Sequence, residues 1–151
     1  MALNANLLTD LSLELLHNEL RPVYAVQSSR MLGPGGKGLM VDFGSVTGRD
    51  NLAQAIIIRL LTPRGELAAL GHPQFGSRLH ELIGSVNTET KRNLVRLYIL
   101  ESLQMEPRIE KIQAVTVQPA VKRPTSVDVS LRVLPVGDTQ TVSIGPITLE
   151  L

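Results

Sequence analysis

Residues 127–133 read Val127-Asp128-Val129-Ser130-Leu131-Arg132-Val133. Apolar and polar residues alternate without a break, the pattern of a strand with one buried face. The same period extends to both sides. Upstream, Ile112, Ala114 and Val117 belong to a strand that stops near Pro119. Downstream, Val142 and Ile144, then Ile147, Leu149 and Leu151, mark a third strand, with a bulge or bend at Gly145-Pro146. The connections Ala120–Pro124 and Pro135–Thr139 are short enough for antiparallel hairpins.

Before this run the period is helical. Asp50 is placed to cap a helix in which Leu52, Ile56 and Leu60 recur at one-turn spacing, flanked by Ala53, Ile57 and Leu61. It stops at Thr62, because Pro63 disfavours helical geometry in the residue before it. Arg78 to Ile83 reads as a short helix closed by Gly84. Asn87 or Thr88 caps the longest helix, which runs to about Met105 and is ended by Pro107. Its apolar surface, with Leu94, Leu97, Tyr98, Ile99, Leu100 and Leu103, is wide enough for burial on more than one side. Helices followed by strands indicate an α+β domain. Two to three helices are expected to pack on a C-terminal antiparallel sheet of about three strands.

Residues 1–30 read as an N-terminal extension and residues 31–151 as a single domain. Asp10 to Leu15 alternates as a strand does, and Arg21 to Gln27 reads as a second strand entered through Pro22, so a hairpin is expected. A helix over Leu7 to Leu16 competes, since Leu and Glu favour it. Gly33-Pro34-Gly35-Gly36-Lys37-Gly38 is a loop.

Composition narrows the function. Of the 151 residues, 43% are apolar but only 3% aromatic, so the core is aliphatic. The net charge of +1 gives no support for nucleic-acid binding. The absence of cysteine excludes disulfides and thiolate metal sites. Met1 to Asp10 lacks the basic start and apolar stretch of a signal peptide, and the longest apolar run, Ala55 to Leu61, is broken by Arg59. These features lead to the expectation of a soluble protein that folds in the cytoplasm, with no membrane partner.

Familiar chemistry is scarce. His17, His72 and His80 form no close ligand set, so no metal is expected. Lys37 is followed by Gly38 instead of Ser or Thr, and no convincing strand precedes the loop, so it does not match a phosphate-binding loop. Glu66, Glu81 and Glu106 are candidates for an acid pair by residue type alone. No catalytic residue, cofactor or small-molecule substrate is expected. Two clusters stand out. Leu61-Thr62-Pro63-Arg64-Gly65-Glu66, followed by Pro73-Gln74-Phe75-Gly76, sets a turn and an aromatic anchor between two helices. Glu106-Pro107-Arg108 lies at the corner between the long helix and the first strand. There it could project a charged pair, or Arg108 could neutralise the helix end or pair inside the fold.

These clusters, in this order, together with MLGPGGKG upstream, resemble the contractile-tail baseplate wedge family, which includes phage sheath initiators and has relatives in type VI secretion and extracellular injection particles. The resemblance covers about residues 31–151. It implies a structural role in place of catalysis. Glu106, Pro107 and Arg108 would contact the wedge's core helical bundle, near hub and tube proteins. The strand segment Ile147, Thr148, Leu149, Glu150 and Leu151 would offer an edge to first-ring sheath subunits. Some members of the family carry a lysozyme label, so a muramidase is the competing reading, and a small regulatory adaptor on the same fold is a third.

Overall fold

The computed structural model describes residues 5–15, 24–32 and 39–151. The expected sheet is present. Strands β7 (Ile109–Ala120), β8 (Arg123–Pro135) and β9 (Val142–Glu150) are antiparallel in the order β7-β8-β9. The alternation that defined β8 sends Val127, Val129, Leu131 and Val133 inward, where they are buried. Register places Val127 opposite Leu149, Val129 opposite Ile147 and Leu131 opposite Ile144. The bulge expected at Gly145-Pro146 lies between the last two of these pairs. Gly145 has φ +102, and a Cβ there would lie 2.5 Å from the Val129 carbonyl oxygen, so only glycine fits.

Two helices cover the inner face. Helix α1 spans Gly48–Leu61 and α2 spans Glu89–Leu103. Leu52, Ile56, Leu60 and Leu61 of α1 meet Val95, Tyr98, Ile99 and Leu103 of α2 in one aliphatic core with β8 and β9. Each fully buried aliphatic side chain contributes about 1.5–3 kcal/mol. As expected, α1 ends at Thr62, whose backbone N–H and Oγ1 both donate to the Ile58 carbonyl. Three details differ from expectation. Thr47, not Asp50, is the N-cap of α1, and Asp50 lies in the first turn. The segment around Arg78 to Ile83 is a tight 3-10 turn, Leu79–Leu82, too short for α-helical bonding. Leu97 of α2 is exposed, so the helix buries one broad face only. Thr88 caps α2 by accepting from the Lys91 N–H. Asn87 instead donates to the Pro124 and Ser126 carbonyls, fastening the helix start to β8.

Among the described residues the N-terminal part forms three short antiparallel ribbons. Strands β1 (Thr9–Leu11) and β6 (Ser45–Thr47) pair, as do β2 (Leu13–Leu15) with β3 (Tyr24–Val26), and β4 (Ser28–Leu32) with β5 (Leu39–Phe43). The expected hairpin is therefore β2–β3, although Arg21 to Val23 lie outside the described residues. The ribbons meet in a closed ring of backbone bonds. Ser12 donates to Gly44, Gly44 to Gln27 and Gln27 to Ser12, at 2.8, 2.7 and 2.9 Å. Gln54 of α1 holds the ring down by accepting from the Leu13 N–H and donating to the Leu11 carbonyl. Buried Leu7 is held by Asn51, whose Nδ2 donates to its carbonyl.

Candidate interaction surface

The Glu-Pro-Arg corner is built by two successive turns. The Glu106 N–H donates to the Leu103 carbonyl, and the Ile109 N–H donates to the Glu106 carbonyl. Pro107 is left exposed between α2 and β7. Glu106 does not project outward as a charged pair would. Its side chain is 5% exposed and accepts from Arg108 Nε at 2.7 Å and from Arg59 Nη2 at 3.3 Å. A buried carboxylate is costly unless paired, and two arginines supply that pairing. Burial pushes the Glu106 carboxyl upward. The Arg108 hydrogen bond and the charges of Arg108 and Arg59 outweigh it and hold the carboxyl below its ordinary value. Arg108 is left 19% exposed, and among the described residues no acceptor meets its terminal nitrogens.

Arg59 was legible in the sequence only as a charge interrupting an apolar helix. In the fold it is the third member of this cluster. Its guanidinium lies 4.6 Å from the Phe75 ring centroid, a cation–π geometry. Phe75 is thus an anchor against the first helix, as its setting suggested, but it is half-buried on Arg59 and lies outside the aliphatic core. The loop carrying it is closed at its neck. Ser77 N–H donates to Thr62, Arg64 N–H donates to Ser77, and Ser102 Oγ donates to the Gly76 carbonyl. Residues 68–74 between are exposed, an Ω-loop in form.

The segment Ile147 to Leu151 completes the chain's own sheet. Ile147, Leu149 and Leu151 are buried, and the Leu151 N–H donates to the Thr125 carbonyl. It therefore does not stand free to leave the parent sheet. The phase of that bond directs the main-chain groups of Ile147 and Leu149 toward β8. Those of Thr148 and Glu150 point to the other side, where no strand pairs with β9 among the described residues.

The remaining candidates stay apart. Glu66 and His72 are exposed on the Ω-loop. Glu81 is bonded by Arg78, with Tyr98 adding a hydrogen bond, and the Arg78 pairing holds its carboxyl below the ordinary range. Among the described residues no group of His, Asp and Glu could hold a metal, and no helix is long and apolar enough to cross a membrane. His17 and Gly33 to Gly38 lie outside the described residues. A strand, β4, does precede that glycine loop, contrary to expectation. The next element is strand β5 instead of a helix, so the loop still lacks the setting a phosphate-binding loop needs.

No protein-family model matches the chain, and no curated protein matches it. A solved structure from Geobacter sulfurreducens, provisionally named a tail lysozyme, shares the fold with a TM-score of 0.56 and 24% identity. The match covers 68% of this chain and 87% of that one.

Proposed function

We propose that this chain is a structural component of a contractile tail or tail-like injection machine. In this reading it is a baseplate subunit that joins a wedge during assembly in the cytoplasm and starts the sheath. The observation that carries the reading is the open edge of β9. Thr148 and Glu150 offer main-chain donors and acceptors there, while Ile147, Leu149 and Leu151 hold the strand in place from within. A strand edge of this kind is a template for another chain. The resemblance over residues 31–151 implies a sheath subunit as that chain, and the likeness to a tail protein's fold supports the same setting. Arg108, oriented by Glu106 beside exposed Pro107, is the contact to the wedge's core bundle.

A second reading, a muramidase, is favoured by the name of the structural neighbour. Its general acid would need a raised pKa, whereas Glu81 and Glu106 are both held low by arginine. The test is Thr148→Pro, which removes an outward N–H and the side-chain bond to Asp128 but leaves the main-chain bonds to β8. A folded variant that no longer starts a sheath in particles viewed by electron microscopy is the expected result. Normal sheathed particles, or clearing of a peptidoglycan suspension by the wild-type protein, would overturn the reading.

A further inference from the structure

A crevice of about 230 Å³ opens between the β2–β3 ribbon and α1, lined by Leu13, Tyr24, Ala53, Ile57 and Ile58, with Asp50 and Gln54 at its polar side. Val26, opposite Leu13 on the same face of the ribbon, continues the apolar lining and is 45% exposed. The space is below the roughly 300–1,000 Å³ of small-molecule pockets and suits one or two aliphatic side chains. Two groups in it lack partners. The Tyr24 hydroxyl is shielded from solvent and has no hydrogen bond. Gln54 bonds Leu11 and Leu13 and not the Tyr24 hydroxyl. Burial pushes the Tyr24 phenol up to about 12. Exposed Asp50 has no ion pair among the described residues, whereas its neighbour Arg49 is bonded twice to Asp138.

The complement lies elsewhere on the same chain. Ala120 pairs with Arg123, so Val121 and Lys122 form the two-residue turn of the β7–β8 hairpin. Val121 is 96% exposed, an aliphatic side chain at a hairpin tip with Lys122 and Arg123 beside it. Neither cation has an ion pair among the described residues, and the turn carbonyls are outside the ladder. The tip cannot reach its own crevice. Arg49 at the start of α1 is bonded to Asp138, just past the Pro135 end of β8. The tip is at the opposite, Arg123 end of β8, a strand roughly 40 Å long at about 3.3 Å per residue.

We propose that this crevice receives the β7–β8 hairpin tip of a second copy of the chain. Val121 enters the apolar space, and Lys122 or Arg123 pairs with Asp50. The two surfaces differ, so the contact is head-to-tail and builds rings or chains instead of a closed twofold dimer. The inference stands on these residues and does not depend on the sheath reading.

Sedimentation velocity over a concentration series tests it. The wild type is expected to self-associate. Val121→Asp should weaken association at least about tenfold, the worth of one buried aliphatic side chain. Asp50→Lys should weaken it as well, and Lys122→Glu with Arg123→Glu in the other copy should restore it. Both changed positions are exposed, and circular dichroism checks the fold. Mixing the Val121→Asp protein, which keeps its crevice, with the Asp50→Lys protein, which keeps its tip, should give a pair that does not extend. A wild type that stays monomeric throughout, association indifferent to Val121→Asp, or no complex in the mixture would each overturn the proposal.

Discussion

Arg59 donates to Glu106 at 3.3 Å with both side chains buried, joining the last turns of α1 to the corner between α2 and β7. Removing one member of a buried pair leaves the other uncompensated. Glu106→Ala is therefore expected to cost about 3–5 kcal/mol, measured by urea unfolding. A loss below about 1 kcal/mol would show that the two arginines do not need this carboxylate. Arg108→Ala should cost less, because Arg59 still faces Glu106.

Acid should loosen the same corner. The folded-state carboxyl of Glu106 is below its ordinary value, and that of Asp138 is drawn from 3.8 to about 2, chiefly by the Arg49 hydrogen bond. Groups depressed on folding add stability that is complete above their unfolded pKa and lost as pH falls through the folded one. Melting temperature should hold from neutrality to about pH 5, then fall progressively toward pH 2. In Glu106→Gln the acid slope should be shallower. An identical slope would assign the effect elsewhere.

Gly76 sits at the neck of the Ω-loop with φ +104, and a Cβ there would lie 2.5 Å from the Thr62 carbonyl oxygen. Gly76→Ala combines backbone strain with a clash, so a loss above about 1 kcal/mol is expected. Limited proteolysis should then cut within residues 65–75 well before wild type is cut. Unchanged protection would mean that the neck can relax.

Deleting Gly145 to Leu151 removes three buried side chains and two thirds of β9. The truncated chain is expected to lose its cooperative thermal transition. Leu149→Ala alone should cost about 2–5 kcal/mol. A truncated protein with a native far-ultraviolet spectrum and melt would show that the sheet closes without this segment.

The strand period from Ile109 onward and the two long helices were legible because burial on one face imposes its own spacing, and Pro63 and Gly145 marked interruptions that are present. The side-chain pairings were not. Nothing local distinguishes a Glu106 that projects from one that turns inward, because the deciding partner, Arg59, lies 47 residues away in sequence. Thr47 displaced Asp50 as cap for a similar reason, since β6 runs straight into α1 and fixes where helical geometry begins. Strands β4 to β6 escaped notice because their pairing depends on the junction at Ser12, Gln27 and Gly44 more than on alternation.

That junction joins three ribbons through a single residue from each connection, with Gly44 making room where a Cβ would press to 3.2 Å on the Gln27 carbonyl oxygen. Each ribbon consequently keeps its own register. Residues added in pairs to β2–β3 or β4–β5 lengthen one arm without shifting the other two or disturbing α1. The joint behaves as a hub, because its three backbone bonds and the hold of Gln54 on it are independent of the length of either arm.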